Sequence, residues 1–578
     1  RVSRADHPPG SSEGTVLASE VLGRFRKLQM DHTWTESLDA TLQVPDVDSA
    51  GRVFEQIPLN PSDYCPYSAT GNYTVGAQEM RVGGGVSFAE KVWLAERNGG
   101  GGALIYPDPA DLPQDPRRLG LNAHTAVSEH LQVHLGSGDP FTPGFPSFNL
   151  SRFPPIPSSG LPLIPALPIT ATVAAKLLQL SGPPCPPSWR GRLPYVRCVL
   201  GPDFGSGRRV RLSVQNLMTP VLLNNIFSSL EGREPQYVIL GAQRDSLGPG
   251  AVKSGVGTAI LLELARTFSA MVKNFSPRRS LLFVSWDAGD FGNVGATEWL
   301  EQGYLSMLHL KAVAYFSLDQ AIMDDHLSAS TSPLLVDLLD AAIRQMKPLY
   351  LNSGAYSFTA FAGVPAMELR FTEYPFLNTP LDTVPRLQEV LGGRLGVTGR
   401  SLAELVGEMV LRLVHDHILP LRITSYAQTV LQLSAQLNKH SAELQQSRGV
   451  SPQWLFSARG DYSRAAETLQ RAIDYSDLHD PNTARFYNTR IMKQVEYYFL
   501  SQYVSAMETP FRHVIHGRGN HTLSALTEHL TLLTSDPGRF DENRFRRQLA
   551  LFTWTLQGAA NALNGDVWSI RHTQLHTH

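Results

Sequence analysis

Asp290 and Asp319 lie just beyond two strongly apolar runs, "SLLFVSW" and "AVAYFS", where a carboxylate is placed to ligate a metal or orient water. Zinc chemistry with two metals needs more than this: imidazole and carboxylate ligands on neighbouring loops, a carboxylate bridging the metals, and a spare Glu as general base. Few of these are present. Gln243, Ala251, Gly289 and Asn378 in the surrounding loops supply neither ligand nor base, and in themselves are ordinary loop residues. Two carboxylates alone do not make a hydrolase.

Other groups point to other chemistry. Glu298 and Glu301 in "ATEWLEQGY" sit at helical i, i+3 spacing, and "FTPGFPSF" offers the Thr142 hydroxyl and the Phe145 carbonyl. All four are hard oxygen donors of the kind calcium takes, although spacing alone describes equally an exposed acidic helix face beside a Pro-constrained turn. In "PQWLFSARGDYSRAAETLQ" the triplet Arg459, Gly460, Asp461 precedes a helix-like run. Asp461 is suited to be the N-cap of that helix, with Gly460 letting the chain turn. His309 and His513 are candidates for titration between extracellular and endosomal pH, since an ordinary imidazole changes charge near 6.5.

The elements that must hold these groups alternate. Strand-like "YVILGAQ", helix-like "KSGVGTAILLELARTF", and the strand-like runs before Asp290 and Asp319 argue for an α/β sheet with its site at the strand ends. Residues 1–46 run from a helix-like to a strand-like segment; 47–220 are rich in Pro and Gly with short β-like runs; 221–418 carry the αβ alternation; and 419–578 favour helices throughout, as in a bundle. The formal charge of −2 over 578 residues contains no polybasic signal, which argues against nucleic acid as a partner. No run of about 18 apolar residues is evident, and the chain reads as a trimmed ectodomain. Of three cysteines, Cys185 and Cys198 are placed to close a short loop in an oxidising compartment, leaving Cys65 as a free thiol. Sequons at Asn72, Asn149, Asn274 and Asn520 fit an extracellular chain, with Pro277 disfavouring use of Asn274.

The run "SWDAGDFGNVGATEW" and the order of segments resemble the glutamate carboxypeptidase-like superfamily, and within it the transferrin receptor family. The resemblance implies a peptidase-like α/β domain, an inserted β-rich apical (protease-associated) domain and a C-terminal helical domain through which the chain dimerises. In the peptidase branch, zinc ligands stand where this chain has Gln243, Ala251, Asp290, Asp319 and Asn378, and the general base stands at Gly289. The resemblance thus implies a structural calcium at Thr142, Phe145, Glu298 and Glu301, and no zinc. It also implies that Trp454, Phe456, Arg459, Gly460, Asp461 and Tyr462 grip iron-loaded transferrin. A type II membrane receptor cycling through endosomes for iron uptake and sensing, with the hereditary haemochromatosis protein as a further partner, follows from the same likeness. "GAYSFTAFAGVPAMELRF" and "HGRGNHTLSALTEHL" resemble the family's second receptor more than its first. Two alternatives stand beside this reading: an active zinc carboxypeptidase, and an integrin-binding adhesion module using Arg459 to Asp461.

Overall fold

The computed structural model describes residues 2–45, 64–75, 87–106, 108, 132–147, 157–179, 181–187, 191, 193, 196–199, 210–323, 326–339, 346–347, 353–372, 374–506 and 509–565. Twelve strands are defined among them: β1 (His32–Pro45), β2 (Gly71–Val75), β3 (Ala103–Ile105), β4 (Ala166–Pro168), β5 (Val210–Val214), β6 (Asn216–Leu230), β7 (Tyr237–Gln243), β8 (Ser280–Trp286), β9 (Ala312–Ser317), β10 (His326–Thr331), β11 (Met346–Lys347) and β12 (Ala366–Thr372). Eight form one mixed sheet in the order β1-β6-β8-β7-β9-β12-β10-β11.

Its centre is parallel, β7 pairing with both β8 and β9 and β12 continuing from β9. Strands covered on both faces must be apolar throughout. Val238, Ile239, Leu240 and Ala242 are accordingly solvent-free, and β9 is buried along its whole length. Chain order 7, 8, 9 against spatial order 8-7-9 makes β7 the point where the connections diverge, so a crevice opens beyond the carboxyl ends of β7, β8 and β9. β1 and β6 form a long antiparallel ribbon at the edge. The segment boundary expected at 220/221 falls inside β6, which starts at Asn216.

Between β1 and β6 lie two small two-stranded pairs, β2 with β5 and β3 with β4, and the helices Phe88–Arg97 and Ala171–Leu177. Cys185 and Cys198 are disulfide-bonded, and Cys65 is a buried free thiol that burial pushes far above its ordinary range and so keeps inert. The Ala251–Val272 stretch is the one segment among the described residues long and apolar enough to cross a membrane, with mean hydropathy 1.3. Its apolar side chains, among them Leu261, Leu264, Ala265 and Phe268, are buried in the core against the sheet, which accounts for its composition.

From Thr424 onward the described chain is helical apart from loops and short turns. Helix starts carry the expected caps: Asp480 accepts from the N–H groups of Asn482 and Thr483 ahead of Pro481, and Asp541 accepts from Arg544. The apolar stripe of the Gln453–Asp474 helix packs on the Glu542–Asn564 helix, in one cluster continuous with the sheet's core. At the joint Glu496 is buried without solvent contact. It accepts from Tyr426 Oη at 2.7 Å and Ser332 Oγ at 2.8 Å, and His513 Nε2 lies 3.3 Å away. Tyr426→Phe therefore removes a donor from a buried carboxylate and should cost roughly 1.5–3 kcal/mol. Denaturant unfolding checks this; a loss below about 0.5 kcal/mol would mean that the joint does not depend on the network.

Candidate functional site

Three places collect the residues singled out above. In the crevice beyond β7, β8 and β9, Gln243 Nε2 donates to Asp290 Oδ1 at 3.0 Å and to the Asp245 carbonyl at 3.0 Å. Asp290 Oδ2 accepts from Leu247 N at 2.8 Å, and Lys253 Nζ lies 3.1 Å from Asp290 Oδ1. Asp319 Oδ1 accepts from Gln243 N at 2.7 Å, while Asp382 takes the N–H groups of Val252 and Lys253. The positions compared with a zinc site are thus filled by an internal hydrogen-bond network. Gly289 is part of it: a Cβ there would fall 2.3 Å from the Gln243 carboxamide carbon, so a base at 289 and the Gln243 rotamer exclude each other. Asn378 sits in left-handed backbone, and among the described residues none of the hydrogen bonds to Asp290 or Asp319 runs to it.

Electrostatics follow from burial. Desolvation works to raise Asp290, but Lys253 and the bonds from Leu247 and Gln243 outweigh it and hold the carboxyl below its ordinary range. Asp245, buried beside Asp290 and Asp287, is pushed well up. Burial likewise raises Asp319 and Asp382 to about 6 from an ordinary 3.8. Asp245 and Asp382 could not be picked out from sequence, because each is one acid among many until the fold turns it inward.

In the second place, Glu298 is completely buried and Glu301 partly buried, at the end of helix Val294–Trp299 and in the π-turn Leu300–Tyr304. The exposed acidic face is therefore excluded. Glu298 Oε2 accepts from Ser147 N at 2.6 Å and Glu301 Oε1 from Gly144 N at 2.9 Å, tying both to the Thr142–Ser147 turn. Glu298 Oε1 and Glu301 Oε2 are buried without a hydrogen-bond donor among the described residues. Asp139 joins them, its Oδ2 accepting from Thr142 Oγ1 at 3.1 Å. Burial raises all three carboxyls, and repulsion from neighbouring acids adds to it at Glu298 and Glu301. Asp139, which sequence reasoning missed, is signalled only by standing three residues before Thr142. Phe145 is half exposed.

The third place is the Gln453–Asp474 helix. The Arg459 to Asp461 triplet lies in its middle, not before it, and Asp461 is no N-cap. Leu455, Ala458, Tyr462, Ala465, Ala466, Leu469 and Ile473 form one continuous buried stripe, and that burial carries the helix through Gly460. Tyr462 belongs to this stripe, with no solvent exposure, and is not part of an outer surface. Trp454, 76% exposed, and the partly exposed Phe456 and Arg459 do face outward. Arg459 stacks over the Phe456 ring at 5.5 Å and donates to Ser434 Oγ at 2.7 Å, while Asp461 pairs with Arg464.

Glu496, His513 and His516 form a further group able in principle to hold a metal. His513 Nδ1 accepts from the N–H groups of Ile515 and His516 at 3.1 and 3.2 Å, which puts the ring proton on Nε2, facing Glu496. The lone pair a cation needs is thus turned away from the group. His309 stacks on Tyr497 with ring centres 3.8 Å apart. Of the sequons, Asn274 and Asn520 are exposed, Asn72 lies in β2, and Asn149 falls outside the described residues.

The model of Peptidase family M28 matches residues 225–392. Transferrin receptor protein 2 of Homo sapiens is 49% identical over 648 aligned residues, covering 99% of this chain and 80% of the relative. The chain belongs to the transferrin receptor family. Transferrin receptor protein 1 of Gallus gallus is 38% identical, covering 98% of this chain and 79% of that one. Among solved structures, a zinc aminopeptidase from Bacillus subtilis aligns with TM-score 0.45 at 16% identity, over 71% of this chain and 91% of the other. As a member of this family the chain is non-catalytic: its M28-like sheet holds Gln243, Ala251, Gly289 and Asn378 where catalysis needs ligands and a base.

The buried carboxyls predict a pH dependence. Asp319 and Asp382 sit near 6 in the fold and near 3.8 unfolded, so the folded state binds their protons first as pH falls. Their contribution to stability is accordingly least above about pH 7 and grows through pH 6 towards 4. Relative to an Asp319→Asn, Asp382→Asn double variant, the natural protein should gain stability between pH 7.4 and 5.5, measured by denaturant melts at both values. A difference that stays constant or reverses would show that these carboxyls do not bind protons in that window.

Proposed function

We propose that this chain is the ectodomain of a cell-surface receptor that binds iron-loaded transferrin for iron uptake and sensing. The observation that carries the reading is the outward row Trp454, Phe456 and Arg459 on a rigid helix of a transferrin receptor family chain. Aromatic residues and Arg are the types that dominate interface energetics. Arg459, propped by Phe456 and Ser434, is pre-oriented, so little side-chain entropy is lost when it meets a carboxylate. Helical confinement of Arg459 and Asp461 disfavours the adhesion reading, and the Gln243–Asp290–Lys253 network disfavours the carboxypeptidase.

The same reading takes residues 47–220 as the apical domain, 1–46 with 221–418 as the peptidase-like domain and 419–578 as the domain of homodimerisation. Tyr503 and Trp554, each about half exposed with rings 5.5 Å apart, supply an apolar patch suited to a second copy. A type II membrane anchor, passage through endosomes and partnership with the hereditary haemochromatosis protein complete it by likeness to the family.

Calcium fits the second place. Glu298 and Glu301, with Asp139 and Thr142 beside them, would hold it, the donors being oxygen only and two of the carboxylate oxygens having no hydrogen-bond partner among the described residues. Bound there, the ion would supply the charge that lets three neighbouring carboxyls ionise together, fastening the Thr142–Ser147 turn to the sheet. Phe145 contributes through its carbonyl on this reading. Glu298→Gln should abolish stoichiometric calcium and lower Tm, measured by metal analysis and calorimetry. Unchanged calcium content and melting would remove the site.

Arg459→Ala should weaken transferrin binding by about 2 kcal/mol or more in a chain that melts normally. Arg459→Lys keeps the charge but loses the planar fork, and most of the affinity should go with it. Titration calorimetry with iron-loaded transferrin measures both; full affinity in Arg459→Ala would move the binding surface elsewhere.

A further inference from the structure

Four acidic side chains converge beyond the strand ends: Asp245, Asp319 and Asp382 are buried, and the side chain of Asp290 is only 7% exposed. Carboxylates gathered out of water repel one another unless a cation or a proton intervenes. Among the described residues one basic side chain makes an ion pair within this group. Lys253, itself 14% exposed, places Nζ 3.1 Å from Asp290 Oδ1. Its charge also acts favourably on Asp319 and Asp382.

Lys253 owes this position to the local backbone. It lies two residues after Ala251 in the π-turn Ala251–Gly255, whose first N–H groups are fixed by Asp382: Ala251 N to the carbonyl, Val252 N and Lys253 N to the carboxylate. The wide turn aims the side chain back across the crevice to the Asp290 oxygen that Gln243 also holds.

The structure assigns to the Lys253 ammonium the role of resident cation of this crevice, balancing its buried carboxylates and excluding a divalent metal ion from them. On this assignment the crevice is neither a vacated metal site nor a ligand pocket. It is a charge-balanced joint between the loops after β7, β8 and β9, and its integrity depends on a positive charge at position 253 more than on the shape of that side chain.

The test separates charge from packing in the whole ectodomain. Lys253→Met keeps the length and apolar stem but leaves Asp290 buried without its cation, and should lower Tm at pH 7.4 by roughly 5 °C or more. Lys253→Arg keeps the charge and should retain most of the natural Tm. Zinc or manganese ions at millimolar concentration should raise the Tm of Lys253→Met by more than they raise that of the natural protein, because the carboxylates are then open to a metal. The assignment is overturned if Lys253→Met melts like the natural protein, if Lys253→Arg loses as much as Lys253→Met, or if the metal ions shift both proteins equally. Should Lys253→Met fail to fold, the melting of Lys253→Arg decides: a natural-like Tm supports the charge role, a collapse refutes it.

Discussion

Buried carboxylates must find N–H donors or lose the energy of leaving water, and the loops beyond the central strands are organised by that requirement. Asp245 takes the N–H groups of Gly289 and Asp290, joining the β7 loop to the β8 loop. Asp319 reaches back from β9 to Gln243 N, Asp290 takes Leu247 N, and Asp382 caps the turn that starts at Ala251. Every bond crosses from one loop to another. Loops that metals would hold together in a hydrolase are held here by side chain to backbone bonds, which explains how the frame persists in a chain without the ligand set. The same bonds make the change hard to reverse: an acid at 289 would collide with Gln243, so restoring the base means first replacing the residue that closes the network.

Much of this was legible beforehand, and for physical reasons. Short continuous apolar runs such as "YVILGA" and "AVAYFS", rich in β-branched and aromatic residues, read as strands buried on both faces, which places the residues after them at the strand ends. Gln243, Ala251, Gly289 and Asn378 are ordinary residues in themselves, and only the resemblance marks them as standing where the peptidase branch carries ligands and base. What sequence could not show is burial of acids. Glu298 and Glu301 at i, i+3 read equally as a wet helix face, and only the turn at Thr142–Ser147 folding over them turns them inward. Asp139 and Asp382 are invisible for the same reason. The misplacement of Asp461 has a different origin. Gly460 and Asp461 together look like a helix boundary by propensity, yet a seven-residue buried stripe outweighs the ~1 kcal/mol that one Gly costs in a helix. Likewise the two backbone N–H groups that hold His513 Nδ1 are revealed by no spacing rule.

A sheet that has lost its chemistry still offers rigidity. The cluster of buried side chains under the sheet continues without a break into the helical region, from Leu264 and Phe268 through Tyr426 to Tyr462 and Phe552. Glu496 adds a polar tie at the same joint, collecting donors from the end of β10 and from the Thr424–Lys439 helix. Outward residues on the Gln453–Asp474 helix are therefore presented by a surface whose underside is anchored in the peptidase-like core. Arg459 illustrates the consequence: its guanidinium is held from two sides, by the Phe456 ring and by Ser434 on a neighbouring helix, before any partner arrives. Tyr462, one turn along, contributes in the opposite sense. Buried completely and packed edge-on against Phe499, it fixes the rotation of the helix about its axis, and with it the direction in which Arg459 points. A residue that touches no ligand thereby decides which face of the helix a ligand meets.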